Sequence, residues 1–158
     1  MDTLQKIKEK LYRFIEVLSV VFLIGMVVVV CYAVFGRFVI RKAPRWGEEV
    51  ALLCMVWFSV LSATLAIFDN RHIRVTVWET YLSPKTYQIL EVIVHIILFG
   101  IIVLMLYYGT ALLKFVSPAK MSGTRISYFW LYSSVPVASV FMVIATIVRI
   151  GEIIGRKS

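Results

Sequence analysis

Charge is what this sequence has least of. Only 16% of its 158 residues are Asp, Glu, Lys or Arg, where a soluble domain carries about a quarter. Acidic residues are the scarcer sign, with nine against 17 basic ones. The few charges also fall in clusters. Between them lie four runs, 17–35, 50–68, 92–113 and 126–148, free of Asp, Glu, Lys and Arg and 19 to 23 residues long. At about 1.5 Å per residue, even the shortest reaches roughly 28 Å as a helix, close to the thickness of a bilayer's hydrocarbon core. With 61% hydrophobic residues and a mean hydropathy of +0.89, the chain reads as an all-α integral membrane protein. It is expected to form one membrane domain over 1–158 with four transmembrane helices.

Other scarcities exclude chemistries. The two cysteines, Cys31 and Cys54, sit inside the first and second runs, where they act as small apolar residues. No C-x-x-C, disulfide framework or zinc spacing is present. Of the two histidines, only His95 lies within a run, so a haem held by two histidines at one depth is not provided for. No carboxylate lies deep in a run, and Glu16 stands at the edge of the first. An intramembrane carrier or enzyme needs ionisable or ligating groups at that depth. No catalytic, substrate-binding or metal-ligating set emerges, and no cofactor is expected on this chain. There is no internal repeat and no matched pair of interrupted helices of the kind a two-fold transporter shows. The net charge of +8 and pI near 9.7 reflect scarce acids and basic helix ends beside anionic lipid, with no folded basic module for nucleic acid.

What is present sits at the junctions. Residues 1–16 place Leu4, Ile7, Leu11, Phe14 and Ile15 at helical spacing among lysines, an amphipathic lead-in. The apolar stretch behind it is too long for a signal peptide's core and no small-residue cleavage pattern follows, so it reads as a retained anchor. A first link carries Arg37, Arg41, Lys42 and Arg45 with Pro44, before Glu48 and Glu49 open the second run. Carboxylates there face the positive end of the helix dipole. After Asp69-Asn70-Arg71-His72, Ile73, Val77, Trp78, Tyr81 and Leu82 fall on one face, which predicts a short interfacial amphipathic helix between the second and third spans. Pro84 suits the first turn of the third. Tyr128, Phe129, Trp130 and Tyr132 form an aromatic belt at the entry to the fourth.

Lys and Arg at the two ends of the chain and in the second link number ten, against seven in the first and third links. That excess predicts both termini in the cytoplasm. It also leaves the four-basic first link on the outer side, against the tendency. Small-x-x-x-small spacings at Ser59/Ala63, Ser62/Ala66 and Gly151/Gly155 suit close helix packing. His95 follows Glu91 by one turn, which puts both on one face.

These junctions, in order, resemble the small membrane subunit of tripartite ATP-independent periplasmic (TRAP) transporters, the DctQ-like family. The matching features are Gly36-Arg37-Phe38, then Trp46-Gly47-Glu48-Glu49 with Trp57-Phe58 and Ser62-Ala63. Phe68-Asp69-Asn70-Arg71-His72-Ile73-Arg74-Val75 and Leu82-Ser83-Pro84 follow, then Ser133-x-x-Pro136. The resemblance implies a non-catalytic small subunit in a bacterial inner membrane. It would brace a large transport subunit that carries substrate and sodium, while a periplasmic binding protein delivers an organic acid such as a C4-dicarboxylate or sialic acid. On this reading Glu48, Glu49, His95, Ser59 and Ser62 make contacts with the large subunit or within the bundle, and Arg41, Lys42 and Arg45 help dock the binding protein. Lipid is the remaining partner. Two alternatives stay open on residues alone: a stand-alone four-helix transporter, and a membrane anchor of a redox enzyme.

Overall fold

A computed structural model describes residues 2–39, 41, 45–69 and 84–155. The interfacial helix expected at 73–82 lies outside the described residues, as do Lys42 and Pro44. Among the described residues the structure is helical, with α1 Asp2–Phe38, α2 Arg45–Phe68, α3 Pro84–Val116, a short α4 Phe129–Tyr132, and α5 Ser134–Gly155. Four segments are long and apolar enough to cross a membrane: Lys8–Phe38, Arg45–Phe68, Ile89–Val116 and Phe129–Gly151. Each contains or closely tracks one charge-free run. The lead-in is not a separate element; it continues into the first span as one helix, because nothing between Asp2 and Phe38 breaks it. The third helix starts at Pro84, whose missing N–H costs nothing in a first turn.

The fourth span is interrupted. Pro136 has no N–H to give to the carbonyl one turn back, and the helix is discontinuous at Ser133. The carbonyl oxygens near the break find other donors. Trp130 O accepts Trp57 Nε1 at 2.9 Å and Ser133 Oγ at 3.1 Å, and Leu131 O accepts Ser134 Oγ at 2.7 Å.

Two antiparallel hairpins, α1–α2 and α3–α5, meet along α2 and α5. The order in space is therefore α1, α2, α5, α3, an open row in which α1 and α3 are the outer members. Aromatic pairs run down the α1–α2 seam: Tyr12 edge-on to Phe68, Phe22 stacked on Trp57, and Tyr32 stacked on Trp46, with centroids 6.2, 5.4 and 5.6 Å apart. Such pairs add about 0.5–1.5 kcal/mol each beyond simple contact. Ile15, Leu61, Ile67, Phe68, Ile102, Met142 and Ala145 form the buried cluster that joins the four long helices.

The α3–α5 seam is built on small residues. Gly109 is buried, and a Cβ there would meet Val135 Cγ1 at 3.3 Å and Pro136 Cδ at 3.4 Å. Opposite it, α5 buries Ser134, Ala138, Ser139, Ala145 and Thr146 almost completely. The hydroxyls of Ser139 and Thr146 donate to carbonyls one turn back in α5, at 2.7 and 2.8 Å, so the stripe is polar in composition but satisfied within its own helix. Gly151, by contrast, is exposed, and an added Cβ would meet nothing within 4 Å.

Candidate functional site

The third link lies against the start of α2 at one end of the row. α2 begins where the first link ends, and its first turns carry Glu48 and Glu49 on different faces. Glu48 Oε1 accepts Arg37 Nη2 at 2.8 Å, which staples the end of α1 to the start of α2. The pair is exposed, with side chains 61% and 76% accessible, so it contributes at most about 1 kcal/mol.

Glu49 does something different. Its carboxylate points at the third link and accepts four hydrogen bonds there. Ser122 Oγ and Gly123 N–H donate to Oε1 at 3.1 and 2.8 Å, while Thr124 N–H and Thr124 Oγ1 donate to Oε2 at 2.7 and 2.8 Å. Two consecutive backbone amides and two hydroxyls therefore wrap one side chain more than 70 positions away. Charge-assisted bonds of this kind are roughly twice as strong as neutral ones.

The wrap needs a glycine. A Cβ on Gly123 would lie 2.7 Å from Arg45 O and 3.0 Å from Trp46 N, so only a bare backbone approaches α2 this closely. The link is closed by its own bonds as well. Met121 N–H donates to Ile126 O at 2.9 Å, Arg125 N–H to Met121 O at 3.1 Å, Tyr128 N–H to Ala119 O at 3.1 Å, and Ser127 Oγ to Ser117 O at 2.8 Å. Met121 is buried beneath it. Both links contain an arginine in the left-handed region, Arg41 at φ 56° and Arg125 at φ 58°, a conformation that residues with a Cβ adopt only when their surroundings impose it.

The opposite end is tied differently. Tyr12 Oη donates to Asp69 Oδ2 at 3.2 Å, joining the start of α1 to the end of α2. Arg149 Nη2 pairs with Glu91 Oε1 at 3.3 Å, with side chains only 17% and 10% accessible, joining α5 to α3. His95 is buried, and its Nδ1 lies 2.7 Å from Glu91 O. A carbonyl only accepts, so in this bond Nδ1 is the donor.

Among the residues singled out by sequence, the structure thus gives Glu48, Glu49 and His95 partners within this chain. Ser59 is exposed, with its hydroxyl donating to Met55 O at 2.8 Å, and Ser62 is half-buried. Arg41 and Arg45 are exposed at the link end, and Lys42 lies outside the described residues. Sequence reading missed Ser122, Gly123 and Thr124. Their composition, two hydroxyls around a glycine, was the available signal, because such runs offer converging donors. Among the described residues no cluster of His, Cys, Asp and Glu could hold a metal ion.

Comparison with known proteins agrees with this architecture. Residues 26–156 match the family model described as "Tripartite ATP-independent periplasmic transporters, DctQ component". The chain is also 24% identical, over 85% of its length and 78% of the relative's, to a Vibrio cholerae protein named sialic acid TRAP transporter small permease protein SiaQ. A match over most of the chain, on a structure with four membrane-length helices, shows that this protein belongs to the DctQ family and is a small permease subunit of a TRAP transporter.

Proposed function

We propose that this subunit is a non-catalytic scaffold in a sodium-driven, binding-protein-dependent organic acid uptake system. The family implies a tripartite complex with a large membrane subunit and a periplasmic binding protein, and the chain is a multi-pass inner-membrane protein of that complex. Sodium and substrate are assigned to the large subunit. The relative's name makes sialic acid a candidate substrate, alongside C4-dicarboxylates.

The observation that carries the scaffold reading is where the buried polar groups in the spans spend their bonds. Ser19, Thr64, Ser139 and Thr146 each donate to a carbonyl one turn back in their own helix, which supports a packing role rather than a path for ions. Meanwhile α1 and α3 expose long apolar faces, suited to lipid and to a partner subunit. The large subunit is proposed to sit against the face of α2 that includes Ser59 and Ser62. Glu48, Glu49 and His95 serve that contact from within, by fixing the helices that present it.

Both termini are placed in the cytoplasm, on the basic-residue excess. The link end then faces the periplasm, where Arg41, Lys42 and Arg45 receive the binding protein. The test is reconstitution of the large subunit in liposomes with and without this chain. Sodium-driven uptake with the binding protein is expected only when both are present, and uptake by this chain alone would refute the scaffold reading. Reporter fusions after Arg45 and Gly123 should read periplasm and one after Arg74 cytoplasm; the reverse would overturn the orientation.

A further inference from the structure

We propose that Glu49 is a positioning residue: it holds residues 122–124 so that Lys120 and Arg125 join Arg41 and Arg45 in one cationic face that receives an acidic patch of the soluble binding protein. The proposal rests on the docking reading above and extends it from one link to two.

The geometry supplies the join. The third link lies against the backbone of Arg45, where an added Cβ on Gly123 would already be 2.7 Å from Arg45 O. Arg125 is two residues from that contact and exposed, as are Lys120, Arg41 and Arg45. The third link therefore delivers its cations to the start of α2, beside those of the first. The carboxylates at this end are already engaged, Glu48 by Arg37 and Glu49 by the link itself. Among the described residues Arg41, Arg45, Lys120 and Arg125 have no carboxylate within ion-pair distance. What faces outward is net positive.

Two features favour a folded acidic surface over phospholipid headgroups. Lipid-anchoring cations flank helix ends, whereas Lys120 and Arg125 lie inside a hydrogen-bonded hairpin between Val116 and Phe129. Arg125 is also held at φ 58° by its N–H bond to Met121 O. A backbone fixed in this way sets where these two side chains are rooted relative to each other, and complementary charge at a rim chiefly accelerates encounter.

Glu49→Gln replaces one carboxylate oxygen with an amide nitrogen, which sets donor against donor at Gly123 or Thr124. The experiment uses the complete reconstituted complex and reads two quantities. The first is hydrogen–deuterium exchange of the Gly123 and Thr124 amides, expected to accelerate about tenfold or more once the charge-assisted bonds are lost. The second is the binding-protein concentration giving half-maximal uptake, expected to rise about three- to tenfold at low salt and less at physiological salt, where the Debye length is about 8 Å. Arg125→Gln should raise the half-maximal concentration while leaving the exchange of those amides unchanged. Neutralising Arg41, Lys42 and Arg45 together tests the docking reading by itself.

Unchanged amide exchange in Glu49→Gln overturns the positioning role. Faster exchange with an unshifted half-maximal concentration overturns the two-link face, and the docking reading survives if the triple neutralisation still shifts it. If neither variant shifts it, both fall. If replacing anionic by zwitterionic vesicles reproduces the effect of Arg125→Gln, the face serves lipid and the proposal is wrong.

Discussion

The inner and outer helices of the row are built from different residues. α5, an inner helix, buries Ser134, Ala138, Ser139, Ala145 and Thr146, each at most 1% accessible. α1, an outer helix, presents Val17, Val21, Ile24 and Val28 at one-turn spacing, each 57–61% accessible. The more apolar surface is thus the one left outside. In water this would be inverted, but lipid tails are as apolar as valine, so burying Val21 gains little. Small residues let the backbones approach closely at the α3–α5 seam instead, and the buried hydroxyls there are satisfied within α5. Between these two helices, what is buried follows side-chain size and satisfied polarity rather than hydrophobicity.

The comparison can be broken deliberately. Ala138→Leu should overpack the inner seam and destabilise the purified subunit by about 1–3 kcal/mol, read as a lower unfolding temperature in detergent. Glu91→Gln removes the charge facing Arg149 between α3 and α5 and should cost about 1–3 kcal/mol. Raising the salt concentration should leave this loss largely intact, because the pair is mostly shielded from solvent. Trp57→Phe keeps the ring stacked on Phe22 but loses the bond to Trp130 O, and about 0.5–1.5 kcal/mol should go with it. The smallest effect is expected on the outer helix. Ile24→Ala with Val28→Ala should move the unfolding of the isolated subunit by no more than about 0.5 kcal/mol. A loss there as large as that of Ala138→Leu would mean that α1 packs as an inner helix.

Much of the fold was legible because a bilayer makes length and charge decisive. Each charge-free run falls within or overlaps a membrane-length segment, the fourth interrupted at Ser133, and Pro84 marked the start of α3 as its chemistry requires. Order within the row was not legible. Helices apolar on every side carry little periodic signal, so the buried stripe of α5 did not stand out from its exposed face. The adjacent acids Glu48 and Glu49 show the same limit at the candidate site. Composition treats them alike, yet a rotation of about 100° per residue sends one toward Arg37 and the other toward residues 122–124. Glu91 and His95 were legible as neighbours, since one helical turn fixes that spacing, but Arg149 arrives from a helix 58 positions away.

The open row has a mechanical consequence. With neighbouring axes about 8–10 Å apart, four helices abreast set their outer axes roughly 24–30 Å apart, in a layer one helix thick. Like a plank set on edge, such a slab resists shear within its own plane far more than flexing across its thickness. A moving partner fastened along the broad face would gain lateral footing in the bilayer. The thin direction would still leave room for the surrounding lipid to deform.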